Sequence, residues 1–324
     1  MNAPVNPKSW QYRDLNKNAP SLSVLSDTLI ELVEAGHPIA AGTADLQHSN
    51  GLVGFAERYP ERFVQFGISE QNMVSAAAGM ATTGLIPYVA TFASFIGLLA
   101  CEQIRMDVAY CAQPVRLIGH HTGISMGFYG TSHHATEDIS TMRAIADLTV
   151  ISPSDGAQYA QLLRESATYS QPIYFRTHRG HDPVIYEASE PFKIGKAKVH
   201  GFGKDVTIIA CGMAVHGARA VMEALNAQGH SVGLIDMHTI KPLDAEAVME
   251  AARTSRVVLT VEEHNILGGL GSAVAEVMAE NPAGARLVRH GIMDEYSLIA
   301  PPTHLYRHYK LDAAGIQEIA SRYL

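Results

Sequence analysis

Short, mainly apolar runs that alternate with helix-spaced segments are the feature that most narrows what this chain can fold into. Such runs lie at 38–41, 62–68, 86–92, 115–119, 148–152 and 172–176. A strand covered on both faces reads as a continuous apolar run, whereas a half-solvated strand alternates. Between the runs, segments near 71–83, 95–110, 137–146 and 155–168 have helical spacing. Ahead of them Leu25, Leu29, Leu32 and Val33 recur at helical spacing until Gly36. The pattern breaks over 181–195 (HDPVIYEASEPFKIG) and then restarts. Strands are expected at 206–210, 232–236 and 257–261, and helices at 214–227, 245–252, 270–279 and near 312–323. The fold class is therefore α/β, with two parallel-sheet domains covered by helices.

Length agrees, since 324 residues suit two domains. The expected organisation is a polar arm over 1–20, a first α/β domain over 21–180, a linker over 181–195 and a smaller α/β domain over 196–324. Apolar residues make up 47% and charged residues 17%, enough to fill two cores. The net charge of −8 comes without a block of like charges, which argues against nucleic acid or an anionic membrane as partner. No run of 18 uncharged apolar residues and no apolar leader is present, so neither a span nor a secretory signal is expected. Three widely spaced cysteines without a CxxC disfavour a disulfide scaffold or zinc module and fit a reducing cytoplasm.

Ligands of open α/β sheets gather beyond the carboxyl ends of the strands. Three segments in such places carry polar or flat side chains. In FGISEQNM, Glu70 opens a helix made almost entirely of small apolar residues. Dipole compensation alone accounts for an acid at that place. A helix so apolar must be buried, however, so its mouth is part-buried and Glu70 becomes a functional acid. In TFASF, Phe92 and Phe95 close a strand and open a helix; they are either core residues or flat faces for a heterocycle. The third segment holds four histidines within fifteen residues, His120, His121, His133 and His134, on a Gly-rich loop. No HxxxH or HExxH pattern accompanies them, so binding and protonation of a polar substrate is preferred over a metal. The turn Gly268–Gly271 hints at a dinucleotide site but lacks the full glycine spacing and an acidic partner.

The stretch FGISEQNMVSAAAGMATTGLIPYVATFASF resembles the pyrimidine-binding domain of transketolases, and GTSHHATED resembles the histidine motif of that family. Asp45-Leu46 with Ser49-Asn50 is similar to its D-L-x-x-S-N segment, and VEEHNILGGLGSAVAEVM to its C-terminal domain. The family's GDG…NN magnesium motif occurs nowhere in the sequence. The resemblance thus implies the C-terminal subunit of a split transketolase, active only with a partner that carries the diphosphate and Mg²⁺ ligands. A heterotetramer is implied, with thiamine diphosphate and Mg²⁺ as cofactors and no metal ligand on this chain. It assigns Glu70 to the aminopyrimidine of the cofactor, where proton sharing favours the imino form that activates the thiazolium. Phe95 stacks on that ring and Phe92 lines its pocket, with Asp45 close by. His121 and His133 face a sugar phosphate, and Ser49 and Arg179 hold its phosphate.

Three positions depart from the family pattern: Ser23 replaces a phosphate arginine, Tyr129 an aspartate that reads a hydroxyl, and Leu98 an aromatic. They leave room for a branched, sulfonated or otherwise modified sugar phosphate. The rival readings are the beta chain of a thiamine-dependent 2-oxo acid dehydrogenase, a non-catalytic partner subunit, and a nucleotide-binding module built on Gly268–Gly271.

Overall fold

A computed structural model describes residues 22–179 and 182–324; the arm expected over 1–20 lies outside the described residues. Twelve strands form two sheets among them. They are β1 (Ile39–Thr43), β2 (Phe63–Gln65), β3 (Ile86–Phe92), β4 (Arg116–His120), β5 (Thr149–Ile151), β6 (Ile173–Arg176), β7 (Lys198–Gly201), β8 (Val206–Ala210), β9 (Val232–Asp236), β10 (Thr239–Lys241), β11 (Val257–Asn265) and β12 (Arg286–Ile292).

The first sheet has the order β10-β5-β6-β4-β3-β1-β2, and the second β12-β11-β8-β9-β7. Each is parallel except at one edge, where β10 runs against β5 and β7 against β9. Two parallel-sheet α/β units are thus present. The central strands β1, β4 and β8 are buried at every residue, including the polar Thr43, Arg116, His120 and Thr207 within their mainly apolar runs.

The unanticipated strands are all at edges. β7 (KVHG) and β12 (RLVRHGI) are partly exposed and mix charged with apolar residues, so they carry no continuous apolar run. β10 belongs by sequence to the second half yet pairs in the first sheet, Thr239 with Ile151 and Lys241 with Val150. One apolar cluster accordingly runs through both halves, from Val150 and Tyr174 to Ile209, Ile235 and Ile240. A further difference lies at 95–110. The expected helix is a short α-helical turn, Cys101–Gln103, between two wide π-type segments, Phe95–Leu99 and Ile104–Tyr110. Gly97 there presses its backbone on Asp138, where an added Cβ would lie 3.0 Å from the Asp138 Cβ. Such π segments recur near functional sites.

The segment after the first sheet is tied down. Asp155 caps the helix Gly156–Ser166 by accepting the Gln158 N–H, and also accepts the Ile185 and Tyr186 N–H groups, all at 2.8 Å.

Candidate active site

In the first sheet the chain leaves β1 towards β2 on one side and leaves β3 towards β4 on the other. The strand order thus reverses between β1 and β3, and a crevice opens beyond their carboxyl ends. Asp45 follows β1, Phe92 ends β3, His121 follows β4, Arg179 follows β6, and Glu70 follows β2. These five residues therefore lie along one carboxyl edge, whereas Gly268–Gly271 follow β11 in the second sheet.

An aromatic and imidazole cluster occupies the middle of this edge. The Phe92 and Phe95 ring centroids are 5.7 Å apart, and the His121 ring lies 4.6 Å from Phe92. His133 closes the group, 5.2 Å from Phe95 and 5.9 Å from Phe92. Tyr129 leans on His133 at 4.9 Å with half of its surface exposed. Leu98 is also half exposed, and Ser23 is exposed at the start of the first helix. Burial pushes His120 down to about 3 and His121 well below the ordinary histidine value, while His133 is lowered too. These imidazoles are neutral at pH 7.

The backbone of His121 is left-handed (φ 60°), a conformation that costs energy for a residue with a side chain. What holds it is the second half of the molecule. Glu263, on β11, accepts the Ile124 N–H at 2.8 Å and the Tyr306 hydroxyl at 2.7 Å. The segment is also bridged to the histidine loop by the pair Gly123–Ala135. His134 is structural. Its Nε2–H donates to the Gly127 carbonyl at 3.2 Å, so its Nδ1 accepts from the Ser297 hydroxyl.

Glu70 is the first residue of the helix Glu70–Ala81 and is 5% exposed. No hydrogen bond or ion pair to its carboxyl is made among the described residues, and the Ser69 side chain does not cap the helix. Asp45 is exposed, with a left-handed backbone whose N–H donates to Gln65 Oε1 at 2.6 Å. It shares a shallow cleft with Ser49 and Gln65. Asn50 donates to Thr43 Oγ1, which donates to the Ala90 carbonyl, and so fixes that cleft to β3. Arg179 is half-buried, donates to the Ser125 carbonyl at 3.3 Å, and its charge lowers His121. Ser49 lies beyond β1 and Arg179 beyond β6, with β3 and β4 between them.

Sequence reasoning passed over the backing residues. Arg176 and Asp138 form an ion pair at 3.0 Å with both side chains 1% exposed, and Arg176 Nη2 donates to the Glu263 carbonyl at 2.8 Å. The charges inside the apolar run VVLTVEEHN were the signal. The glycine turn before the helix Leu270–Glu280 is not open to a ligand. The Glu262 carboxylate accepts the Leu270 and Gly271 N–H groups at 2.6 and 2.8 Å. Among the described residues no group of three or more potential ligand side chains could hold a metal, and no helix is long and apolar enough to cross a membrane.

Two family models match: "Transketolase, pyrimidine binding domain" over residues 20–183 and "Transketolase, C-terminal domain" over 195–316. An inferred transketolase C-terminal section of Methanocaldococcus jannaschii is 41% identical, over 90% of this chain and 92% of its own. One subunit of the apulose-4-phosphate transketolase of Phocaeicola vulgatus is 35% identical, over 92% of this chain and 96% of its own. Among solved structures, a split-gene transketolase described as an inactive beta4 tetramer superposes with a TM-score of 0.85 at 34% identity, over 95% of this chain and 98% of that one.

Proposed function

The chain belongs to the transketolase family, and from that premise we propose that it is one subunit of a two-chain transketolase, moving a two-carbon ketol unit between sugar phosphates. The partner chain would carry the GDG…NN segment that this sequence lacks, and with it the diphosphate and Mg²⁺ ligands. A heterotetramer in the cytoplasm is part of the same reading. The observation that carries it is Glu70, a residue 5% exposed at the sheet's carboxyl edge whose carboxyl makes no hydrogen bond or ion pair among the described residues. A carboxyl that no neighbour bonds, on a residue otherwise buried, is placed to bond a ligand.

These residues fit the pyrimidine half of thiamine diphosphate. Phe95 offers a half-buried flat face beside Phe92, and Glu70 offers a carboxyl that can hold a proton at a ring nitrogen. When bound, the cofactor supplies the carbon nucleophile and the electron sink. The chain's own residues then handle the sugar. His121 and His133, kept neutral by burial, each present one N–H and one lone pair, so they can hold a hydroxyl or carry its proton. Arg179 and Ser49 take the terminal anion, the guanidinium as a planar fork. Asp45 borders the cofactor across the β1/β3 crevice.

A relative named for apulose-4-phosphate and the exposed Tyr129 and Leu98 support a substrate other than a plain pentose phosphate. The cluster of neutral imidazoles favours ketol transfer over the 2-oxo acid dehydrogenase reading, because decarboxylation offers no row of hydroxyls for it to hold. Mixing the chain with a GDG…NN partner and assaying transfer from a phosphorylated ketose tests the proposal. Activity should need both chains. Equal activity of the chain alone would overturn it.

A further inference from the structure

The segment 293–299 of the second half is exposed apart from one residue. Met293, Tyr296, Leu298 and Ile299 each have more than half of their surface open, whereas Ser297 among them is 7% exposed. A buried polar residue in an exposed run is held by its hydrogen bonds. Both polar groups of Ser297 lead to the histidine loop of the first half. Its carbonyl accepts the Thr131 hydroxyl at 3.3 Å, and its own hydroxyl lies 2.5 Å from His134 Nδ1. The second bond has one direction. His134 Nε2 faces the Gly127 carbonyl, which can only accept, and burial pushes His134 down to about 4, so its single hydrogen sits on Nε2 at pH 7. The bare Nδ1 then takes the Ser297 hydroxyl as donor.

These two bonds straddle His133. The rest of its frame also leans on the second half. The His133 and His134 N–H groups both donate to the Gly130 carbonyl, at 2.9 and 3.0 Å. Gly130 has φ 67° and ψ −163°, a backbone that glycine alone adopts at little cost. It is buried against Ile299, and a Cβ added to it would lie 2.8 Å from Ile299 Cγ1. Gly127, which opens the same turn, meets the Ala300 carbonyl and Pro302 Cδ as closely. The Leu298 N–H donates to the Tyr309 hydroxyl at 2.8 Å and so ties the 293–299 segment to its own half. The His133 ring bonds within its loop, Nδ1 to Ser132 Oγ at 2.9 Å, and is carried by that loop.

We propose that Ser297 is a positioning residue that, from the second half of the chain, sets the place of His133 against the substrate by clamping the loop on both sides of it. This rests on the reading of His133 as substrate-facing. An imidazole that holds a sugar hydroxyl must stand within hydrogen-bond reach of it, and a misplacement of about 1 Å can cost on the order of 10²-fold in rate. The His133 ring keeps part of its surface open, so no packed wall fixes it on that side and the frame beneath must do so. The clamp gives the second half a share in handling the sugar and leaves cofactor activation to Glu70 and Phe95 in the first.

The test compares Ser297→Ala, Ser297→Thr and His133→Gln in the complex with the partner chain. Ser297→Ala keeps the carbonyl and loses the donor. Its kcat should fall about tenfold, the effect of one lost hydrogen bond felt through geometry. Hydrogen–deuterium exchange at the thiazolium carbon should stay at the wild-type rate, and Ser297→Thr, which keeps a hydroxyl, should recover most of the loss. Since the effect runs through His133, Ser297→Ala should add nothing in a His133→Gln background. In the full chain alone, labelled at the histidine rings, the ¹H–¹³C signals lost in His133→Gln should shift in Ser297→Ala and hold in Ser297→Thr. Should Ser297→Ala fail to fold, Thr131→Val, at an exposed residue, removes the other arm of the clamp and should lower kcat in the same way; wild-type kcat there overturns the proposal. So does wild-type kcat in Ser297→Ala, an equal loss in the Ala and Thr variants, a full further loss in the His133→Gln background, or slowed exchange at the thiazolium carbon, the mark of a general disruption. Any of these leaves the reading of His133 standing, provided His133→Gln is impaired. If His133→Gln keeps full activity in the complex, that reading falls, and the positioning role falls with it.

Discussion

The two sheets end differently at their carboxyl edges. In the second, the carboxylates at that edge bond mainly to the chain itself, although Asp236 Oδ1 and Glu263 Oε2 keep no hydrogen-bond partner among the described residues. Asp236, ending β9, accepts from Ser154 Oγ, Gln158 Nε2 and the Tyr186 hydroxyl at 2.7 to 2.9 Å. Glu262 on β11 closes the mouth of the following helix. In the first sheet the matching groups are left facing outward. Glu70 stands at a helix mouth without a partner among the described residues, and Phe95 and His133 keep part of their surface open. The same architecture thus yields a more self-satisfied edge in one half and a candidate site in the other. The fold alone does not decide; what decides is whether the chain satisfies its own edge.

Glu70→Gln and Glu262→Gln set the two helix mouths against each other. Glu70→Gln in the complex should lower transfer activity by about 10²–10⁴-fold, because the amide cannot share the proton. Assembly and the thermal midpoint of the lone chain should hold. Hydrogen–deuterium exchange at the thiazolium carbon reads the step itself, and wild-type exchange in the variant would reduce Glu70 to a helix-end charge.

Arg179→Ala probes the same open edge at its far end. The KM for phosphorylated sugars should rise about tenfold or more, as a hydrogen bond to a charged group contributes ~1.5–3 kcal/mol. The smaller change should be in kcat, and unphosphorylated acceptors should be nearly unaffected. Ser23 leaves the anion resting more heavily on this arginine. Matched kinetics decide: equal losses for both substrate types would make Arg179 a support of the fold.

Glu262→Gln should do the reverse of Glu70→Gln. It turns an NH₂ group towards one of two buried N–H donors, at a cost of about 1–3 kcal/mol, and the thermal midpoint of the lone chain should fall. An unchanged midpoint would erase the contrast between the two mouths.

A smaller effect lies in pH. Burial pushes Glu262 up to about 7 from an ordinary 4.5. A carboxyl raised in the folded state contributes stability that is present below pH 4.5 and is lost as pH rises through about 7. Stability should therefore decline less steeply across that window in Glu262→Gln than in the wild type. Parallel denaturation curves at several pH values would count against it.

The strands buried on both faces were legible because an apolar run leaves few alternatives, as at 86–92, 206–210 and 232–236. The edge strands β7 and β12 were not, since partial exposure lets polar residues dilute the pattern, and β10 is largely buried but only three residues long, too short to show a pattern. Of the site, the segments that follow strands were legible, and Phe92, Phe95, His121 and His133 do meet. The supports were hidden because they come from far along the chain. Glu263 holds the His121 segment across more than a hundred residues, and no local spacing announces such a contact.

The claim that matters most is that this chain owns half of a cofactor site. Calorimetric titration of thiamine diphosphate with Mg²⁺, into the chain alone and into the chain with a GDG…NN partner, tests it most directly. The chain alone should bind weakly, because Mg²⁺ needs hard oxygen ligands and a diphosphate needs that Mg²⁺, and the pair should bind tightly. Tight Mg²⁺-dependent binding to the chain alone would contradict it.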